Sequence, residues 1–289
     1  MTTEVVLTGT GMPIPHPDRA GPGVLVRHRR VVLQFDAGRS TAMRLAALGV
    51  DCADLTALFV THHHSDHLTG LADVVLSRWI GFGDARDTPL AVVAPRGPSA
   101  TFVGRLLEPW ADDIDVRRRH SGRTTRAEVA VEAFDAPAAP AVVWTRGDVT
   151  VSAVKVRHHP VEPAVAYRVD TPAGAVAISG DTVPCQEVET LARGAAVLVH
   201  EAMRGTLVRS TPFHFVADFH ADTVALGAMA RRAGVPKLVL THLIPPPASE
   251  EQEDVFVAEV RRGGYTGEIV VGKDLLRLTL DNPSGHGPA

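Results

Sequence analysis

Short runs of β-branched and aliphatic residues, separated by turn residues, open the chain: Val5 to Leu7, Val24 to Val26 and Val31 to Phe35. Runs of this length and content predict successive strands. Gly9 and Gly11 punctuate the first turn, Asp36-Ala37-Gly38 ends the third strand, and Ser40 is placed to cap a helix through Met43, Leu45 and Leu48. Leu55 to Val60 predicts a strand, Leu68 to Trp79 a helix, Leu90 to Val93 a strand and Ser99 to Trp110 a helix. Residues 112–148 break the rhythm with Arg117, Arg118, Arg119, Arg123 and Arg126, then a Pro/Ala stretch from Ala136 to Ala141. That stretch reads as a mobile or inserted segment. Strands resume at Val149 to Val156, Val165 to Val169, Ala175 to Ile178, Val197 to Val199 and Leu238 to Leu240, with helices between the later ones.

Each half therefore runs from a strand meander into strand-helix alternation, which predicts an α/β fold of the αββα sandwich type rather than one parallel sheet. No linker divides the chain, so a single domain is expected over residues 1–281. Residues 282–289, Asn-Pro-Ser-Gly-His-Gly-Pro-Ala, lack core-forming side chains and read as a loose C-terminal tail.

Composition narrows the class. With 45% hydrophobic and 21% charged residues the chain is that of an ordinary globular protein able to bury a large core. A formal charge of -4 provides no global basic field for a phosphate backbone, and aromatic residues at 5% are few for stacking platforms, so nucleic acid is not expected as a partner. Cys52 and Cys185, far apart, signal neither a disulfide framework nor a thiolate zinc site. The N-terminus shows no basic segment followed by a long apolar stretch, and no apolar run approaches the ~20 residues of a membrane span. A cytoplasmic protein with no membrane association is expected.

The chemistry concentrates in Thr61-His62-His63-His64-Ser65-Asp66-His67, immediately after an apolar strand. Four imidazoles and a carboxylate in seven residues suit zinc, manganese or iron. In this H-x-H-x-D-H form His62 and His64 can grip one ion while Asp66 and His67 grip another, because a single tetrahedral ion could not use all four and keep an open position. More donors stand at strand ends: His158, Asp181 and His242. Side-chain alternation along a strand favours His158 over its neighbour His159, and His63 is expected to point outward. His28, His120 and His286 lie outside any motif and read as surface residues.

Asp36, His62 to His67, His158, Asp181 and His242 occur in the order of the motif string of the metallo-β-lactamase superfamily, and the sequence resembles that superfamily over nearly its whole length. The resemblance implies the αββα sandwich, one divalent ion on His62, His64 and His158, a second on Asp66, His67 and His242, and Asp181 bridging them. Zinc is the first expectation, with manganese or iron as alternatives. Asp36 would orient the cluster through hydrogen bonds.

Within the superfamily the sequence is similar to the ribonuclease Z and arylsulfatase-like group, through Leu7-Thr8-Gly9-Thr10-Gly11, Ser179-Gly180-Asp181-Thr182, His200-Glu201-Ala202 and the late His220. That likeness implies that Glu201 orients His220 as general acid; on chemical grounds Asp66 can accept a hydrogen bond from an attacking hydroxide and fix its direction. It breaks at two points. Ribonuclease Z proteins carry a long Gly- and Pro-rich arm between the third metal motif and the bridging Asp, where this chain has only residues 159–180. The Thr that usually follows His-Glu-Ala is Met203. The expected function is therefore a dinuclear metal hydrolase of a small-molecule ester, lactone or arylsulfate. A phosphodiesterase or ribonuclease acting on nucleic acid is the alternative, and a non-hydrolytic metal-binding regulatory protein a third reading. Phe213, Phe215 and Phe219, with Trp79 and Trp110, are candidates to wall an apolar pocket. The Arg117 to Arg126 cluster reads first as a solvated loop and second as an anion site. Oligomeric state is left open, a homodimer included.

Overall fold

In β1 (Thr2–Gly9) Val5 and Leu7 face one way and Val6 the other, yet all three are buried. A strand buried on both faces must lie between two layers, and that requirement organises the computed structural model, which describes residues 2–281. The expected tail 282–289 lies outside the described residues.

The first half continues with β2 (Gly23–His28), β3 (Val31–Phe35), α1 (Thr41–Ala47), β4 (Ala57–Phe59), α2 (Ser65–Leu68), α3 (Leu71–Ile80), β5 (Leu90–Pro95), α4 (Pro98–Arg105), α5 (Ala111–Ser121) and β6 (Val129–Phe134). The second holds β7 (Ala141–Arg146), β8 (Val149–Lys155), β9 (Val165–Thr171), β10 (Gly174–Ile178), α6 (Gln186–Ala192), β11 (Val197–Met203), α7 (Gly205–Val208), α8 (Thr223–Ala233), β12 (Lys237–Ile244), α9 (Glu250–Arg262), β13 (Glu268–Val271) and β14 (Arg277–Asp281). Two seven-stranded sheets result, ordered β14-β1-β2-β3-β4-β5-β6 and β13-β12-β11-β10-β9-β8-β7. Each combines an antiparallel meander with parallel strands, and β14 returns to pair with β1.

Three apolar layers hold the sandwich together. Between the sheets, Leu7, Phe35, Phe59, Val151, Tyr167 and Val199 meet. Outside the first sheet, Leu58 and Val92 pack on Leu45, Leu71 and Val74, and outside the second, Leu198 and Leu238 pack on Leu191, Met229 and Phe256. The expected αββα fold is observed. Phe35 and Phe59 stack at 4.8 Å between ring centroids, and Tyr167 lies 5.4 Å from both. The Tyr167 hydroxyl donates to the Val60 carbonyl at 2.7 Å, clipping the second sheet to the end of the strand that leads into the histidine cluster.

Four local expectations are corrected. Ser40 occupies the N-cap position but makes no side-chain cap; the Thr41 hydroxyl bonds back to the Gly38 carbonyl instead. The expected helix from Leu68 to Trp79 breaks at Gly70, where a Cβ would meet the Gly38 carbonyl at 2.1 Å. The expected helix Ser99 to Trp110 ends at Arg105, and a 3₁₀ turn containing Pro109 leads into α5. The segment 112–148 is regular, forming most of α5 and the strands β6 and β7. Each of those strands lies at a sheet edge and is paired on one side only, so its burial pattern is weak. Arg117, Arg118, Arg123 and Arg126 pair with Asp113, Asp115 or Asp87, as a solvated face would.

Candidate metal centre

The donors converge because strand ends and turns at one rim of the sandwich deliver them. β4 runs into Thr61, whose backbone N–H and hydroxyl donate to the two oxygens of Asp36 at 2.8 Å each. Asp36 also lies 2.7 Å from His67 Nδ1, and a carboxylate can only accept, so Nδ1 carries the proton there. The expected orienting role of Asp36 thus has a geometric basis: one carboxylate fixes both ends of the cluster. Its backbone sits at φ 54°, a left-handed conformation that costs a non-glycine residue roughly 1–3 kcal/mol.

The same reasoning fixes the other rings. Thr61 Oγ, having donated to Asp36, accepts from His62 Nδ1 at 2.9 Å, and His158 Nδ1 donates to the Phe219 carbonyl at 2.9 Å. In His62, His67 and His158 Nε2 is therefore the ring nitrogen turned to the centre. Nε2 of His62 and of His67 is buried without a hydrogen-bond partner. Such orphaned atoms carry a desolvation cost unless something else meets them.

His242 arrives by a different device. The pairing of β11 with β12 shifts register between Glu201 and Ala202, leaving His242 unpaired at φ 45°. The irregularity turns its imidazole into the site, with Nε2 at 3.3 Å from Asp66 Oδ2 and 3.4 Å from Asp181 Oδ2. Asp181 follows Gly180, at φ 59°, where a Cβ would meet Thr61 Cβ at 2.8 Å. Asp181 Oδ2 stands 3.3 Å from His67 Nε2, 3.8 Å from His62 Nε2 and 4.0 Å from His220 Nδ1.

Two donor groups result, His62, His64, His158 and Asp181, and Asp66, His67 and His242, the donor atoms of each lying within 4.8 Å of one another. Donors on a tetrahedral zinc stand about 3.3 Å apart, given bond lengths near 2.0–2.1 Å. Several of the separations, 3.3 Å from Asp181 to His67 and 3.3 Å from Asp66 to His242 among them, lie near that spacing, and the nitrogen and oxygen donor set with two orphaned Nε2 atoms fits divalent ions. Asp181 Oδ2, close to imidazoles of both groups, is placed to serve both. His220 also falls within reach of Asp181 and His242.

Electrostatics point the same way. Burial, reinforced by neighbouring imidazoles, drives His62 well below the ordinary histidine range and His64 to about 4. Burial also lowers His158. These rings are neutral near pH 7, as ligands must be. Burial would depress His67 and His242 too, but Asp181, Asp36 and Asp66 raise His67 well above its usual value, and Asp181 with Asp66 pushes His242 up to about 9. Although burial opposes their ionisation, Asp66 is held at about 2 by His67 and His242, and Asp181 well below the carboxylate range by the same pair. Buried carboxylates that hold cationic protons in this way form a centre that demands positive charge.

Beside it, Glu201 is fully buried and accepts from Thr182 N, Ala221 N and His220 Nδ1, the last at 2.9 Å. His220 Nδ1 is thereby a donor, and its Nε2 is left for chemistry. His159 is exposed where His158 is buried, and His63 belongs to neither donor group. His120 is exposed, whereas His28 is buried against Thr3 Oγ, a correction that follows from β2 lying inside its sheet. His286 lies outside the described residues. Thr61 and Tyr167 were not legible as site residues; a lone hydroxyl beside a motif carries no periodic signal. Of the aromatics expected around a pocket, Phe213 and Phe219 line one next to His220. Phe215 touches Phe213 and Phe219 without lining it, Trp79 is buried with Ile114 and Ala127, and Trp110 is exposed elsewhere. Among the described residues no helix is long and apolar enough to cross a membrane.

Residues 29–243 match the family model described as the β-lactamase superfamily domain. A ribonuclease Z of Mycobacterium avium is 37% identical over 284 residues, covering 97% of this chain and 99% of the relative. Among solved structures, the metallo-β-lactamase fold protein YhfI of Bacillus subtilis superposes with a TM-score of 0.72 at 19% identity, over 96% of this chain and 100% of that one. Human short-form tRNase Z gives 0.65 at 19% identity, over 96% and 99%. The mycobacterial match bears out the ribonuclease Z side of the resemblance and not its arylsulfatase side. It also overturns two expectations, the small-molecule ester, lactone or arylsulfate substrate and the exclusion of nucleic acid as a partner. They rested on a missing arm, Met203 in place of the usual Thr, an acidic net charge and few aromatic residues. A relative aligned end to end with this chain is about as long and has no room for a further large arm. Net charge is a sum over the whole surface and does not describe the face that meets a substrate.

Proposed function

Because the chain belongs to the β-lactamase superfamily, on its ribonuclease Z branch, we propose that it is a metal-dependent phosphodiesterase that cleaves RNA. The single observation that carries the reading is the pairing of His220 with the buried carboxylate of Glu201 at 2.9 Å, directly beside the donor cluster. A ribose oxygen leaving phosphorus is a poor leaving group and needs a proton as the bond breaks, whereas an activated aryl oxide departs without one. A firmly oriented acid therefore matches a nucleotide phosphodiester.

Divalent ions held by His62, His64, His158, Asp66, His67, His242 and Asp181 would polarise a phosphoryl oxygen and bring the pKa of water to about 7. Asp66, ionised and fixed between His67 and His242, accepts a hydrogen bond from the attacking water and sets its direction. As that oxygen adds to phosphorus and the phosphorus–ribose oxygen bond breaks, His220 Nε2 gives its proton to the departing oxygen. Glu201 holds the ring in place throughout. Zinc is the ion we propose first, on the nitrogen-rich donor set.

The test is direct. Protein supplied with zinc or manganese should cut an RNA substrate, and both a chelator and the replacement Asp181→Ala should abolish the cutting. RNA left intact with every divalent ion supplied would overturn the proposal.

A further inference from the structure

Three rings of the centre have their outer nitrogen met: His62 Nδ1 by the Thr61 hydroxyl, His67 Nδ1 by Asp36 and His158 Nδ1 by the Phe219 carbonyl. His242 differs. Its Nε2 stands near Asp66 and Asp181, while its Nδ1 is buried without a hydrogen-bond partner among the described residues. A ring that ligates through Nε2 carries its proton on Nδ1, and that N–H needs an acceptor to hold the ring in orientation.

The residue before it repeats the pattern. Along β12, Leu238 and Leu240 pack outward on helices and Val239 packs between the sheets, so Thr241 also faces between the sheets. Thr241 lies beside Glu201 in the β11–β12 ladder. Its hydroxyl is buried and, among the described residues, bonds to nothing. The nearby Ser179 hydroxyl, by contrast, donates to the Gly180 carbonyl and accepts from Glu201 N. Two buried polar atoms on successive residues, neither with a partner, call for a group that meets both.

Thr241 and His242 line one small cavity between the sheets, of about 20 Å³. Val24 and Phe35 close it from the first sheet, Ile178 and Val199 from the second. One water needs roughly 10–15 Å³ of such space and at least two polar partners. The cavity is too small for a substrate group, and the N–H of a ligating His242 would repel a cation.

Resting on the reading of His242 as a metal ligand, we propose that this cavity is the site of one structural water, which accepts from His242 Nδ1 and hydrogen-bonds to Thr241 Oγ1. Thr241 is then a positioning residue for the metal centre, acting on His242 through that water. The register slip that aims His242 at Asp66 and Asp181 also carries its Nδ1 away from every protein acceptor among the described residues. A water makes good that loss, with a bond nearly as favourable as a direct one.

Two measurements test this. Crystals of the zinc-loaded wild-type protein, diffracting well enough to show ordered waters, should show one within hydrogen-bond distance of both His242 Nδ1 and Thr241 Oγ1. Thr241→Val keeps the shape and removes the hydroxyl; in competition with a chromophoric chelator it should bind zinc roughly 10- to 100-fold more weakly. Thr241→Ser keeps the hydroxyl and loses a methyl group, and should bind zinc nearly as tightly as wild type. A role in packing alone reverses that order, with Val above Ser, and overturns the proposal. So does a dry cavity, or a direct bond from His242 to Thr241, in the wild-type density, which decides alone if Thr241→Val does not fold. Wild-type protein that binds no zinc, or binds it with His242 turned away from the ion, overturns the ligand reading and the water with it.

Discussion

Glu201 has no solvent-exposed surface, yet one of its carboxylate oxygens lies 2.9 Å from His220 Nδ1 on the wall of an open cleft. A buried carboxylate holding the ring through Nδ1 leaves the other ring nitrogen, Nε2, outside that hydrogen bond.

Replacing His220 by Ala should therefore cost roughly 10²- to 10⁴-fold in kcat on RNA, the contribution of a positioned general acid. On a nitrophenyl phosphodiester, whose leaving group needs no proton, the loss should be far smaller. Steady-state rates on the two substrates decide it, and equal losses would reject the acid role.

Asp181 touches both donor groups, so Asp181→Ala should release metal rather than merely slow catalysis. Elemental analysis of the dialysed variant should give clearly fewer ions per chain than the wild type. Two ions retained would count against the bridging position.

Asp36 acts through His67 and Thr61. Asp36→Asn keeps the shape but not the charge, and should weaken metal affinity by roughly 10- to 100-fold, as loss of a ligand's hydrogen-bonding partner does. Competition with a chromophoric chelator measures this, and an unchanged affinity would remove Asp36 from the metal's support.

The metal-free protein should lose stability as pH rises. His242 is buried, which opposes its charge, but Asp181 and Asp66 raise it in the folded state to about 9 from an unfolded value of 6.5. A raised folded-state value contributes stability that is complete below pH 6.5 and lost as pH climbs through about 9. Melting temperatures of chelator-treated protein should fall across that window, more than those of Asp66→Asn, which lacks one of the two charges. A flat profile would contradict the ion pairs around His242.

Tyr167→Phe removes the hydroxyl that, among the described residues, donates from the second sheet to the Val60 carbonyl. Leaving that buried oxygen unmet should cost about 1–3 kcal/mol in denaturant unfolding. A variant as stable as wild type would show that the clip carries no energy.

Much of the site could be read from the chain because metal donors are chemically distinctive and local. His62, His64, Asp66 and His67 sit within one turn, and His158, Asp181 and His242 each follow an apolar run that had to be a strand. The two-layer strand pattern likewise follows from side chains buried on alternate faces, as Val5, Val6 and Leu7 are. These features depend on neighbours two to seven residues apart, which sequence displays directly.

Tertiary structure decided the rest, because it depends on groups far apart in the chain. Only packing shows that His28 is interior, that β6 and β7 are edge strands rather than an insertion, and that a register slip aims His242 at Asp66 and Asp181. The apolar cleft is assembled from segments near residues 12, 213 and 244, none of which announces it alone. Sequence determined which atoms could bind metal and where strands would end; the fold decided which of those atoms share a centre, because only three-dimensional convergence sets the distances on which coordination and catalysis depend.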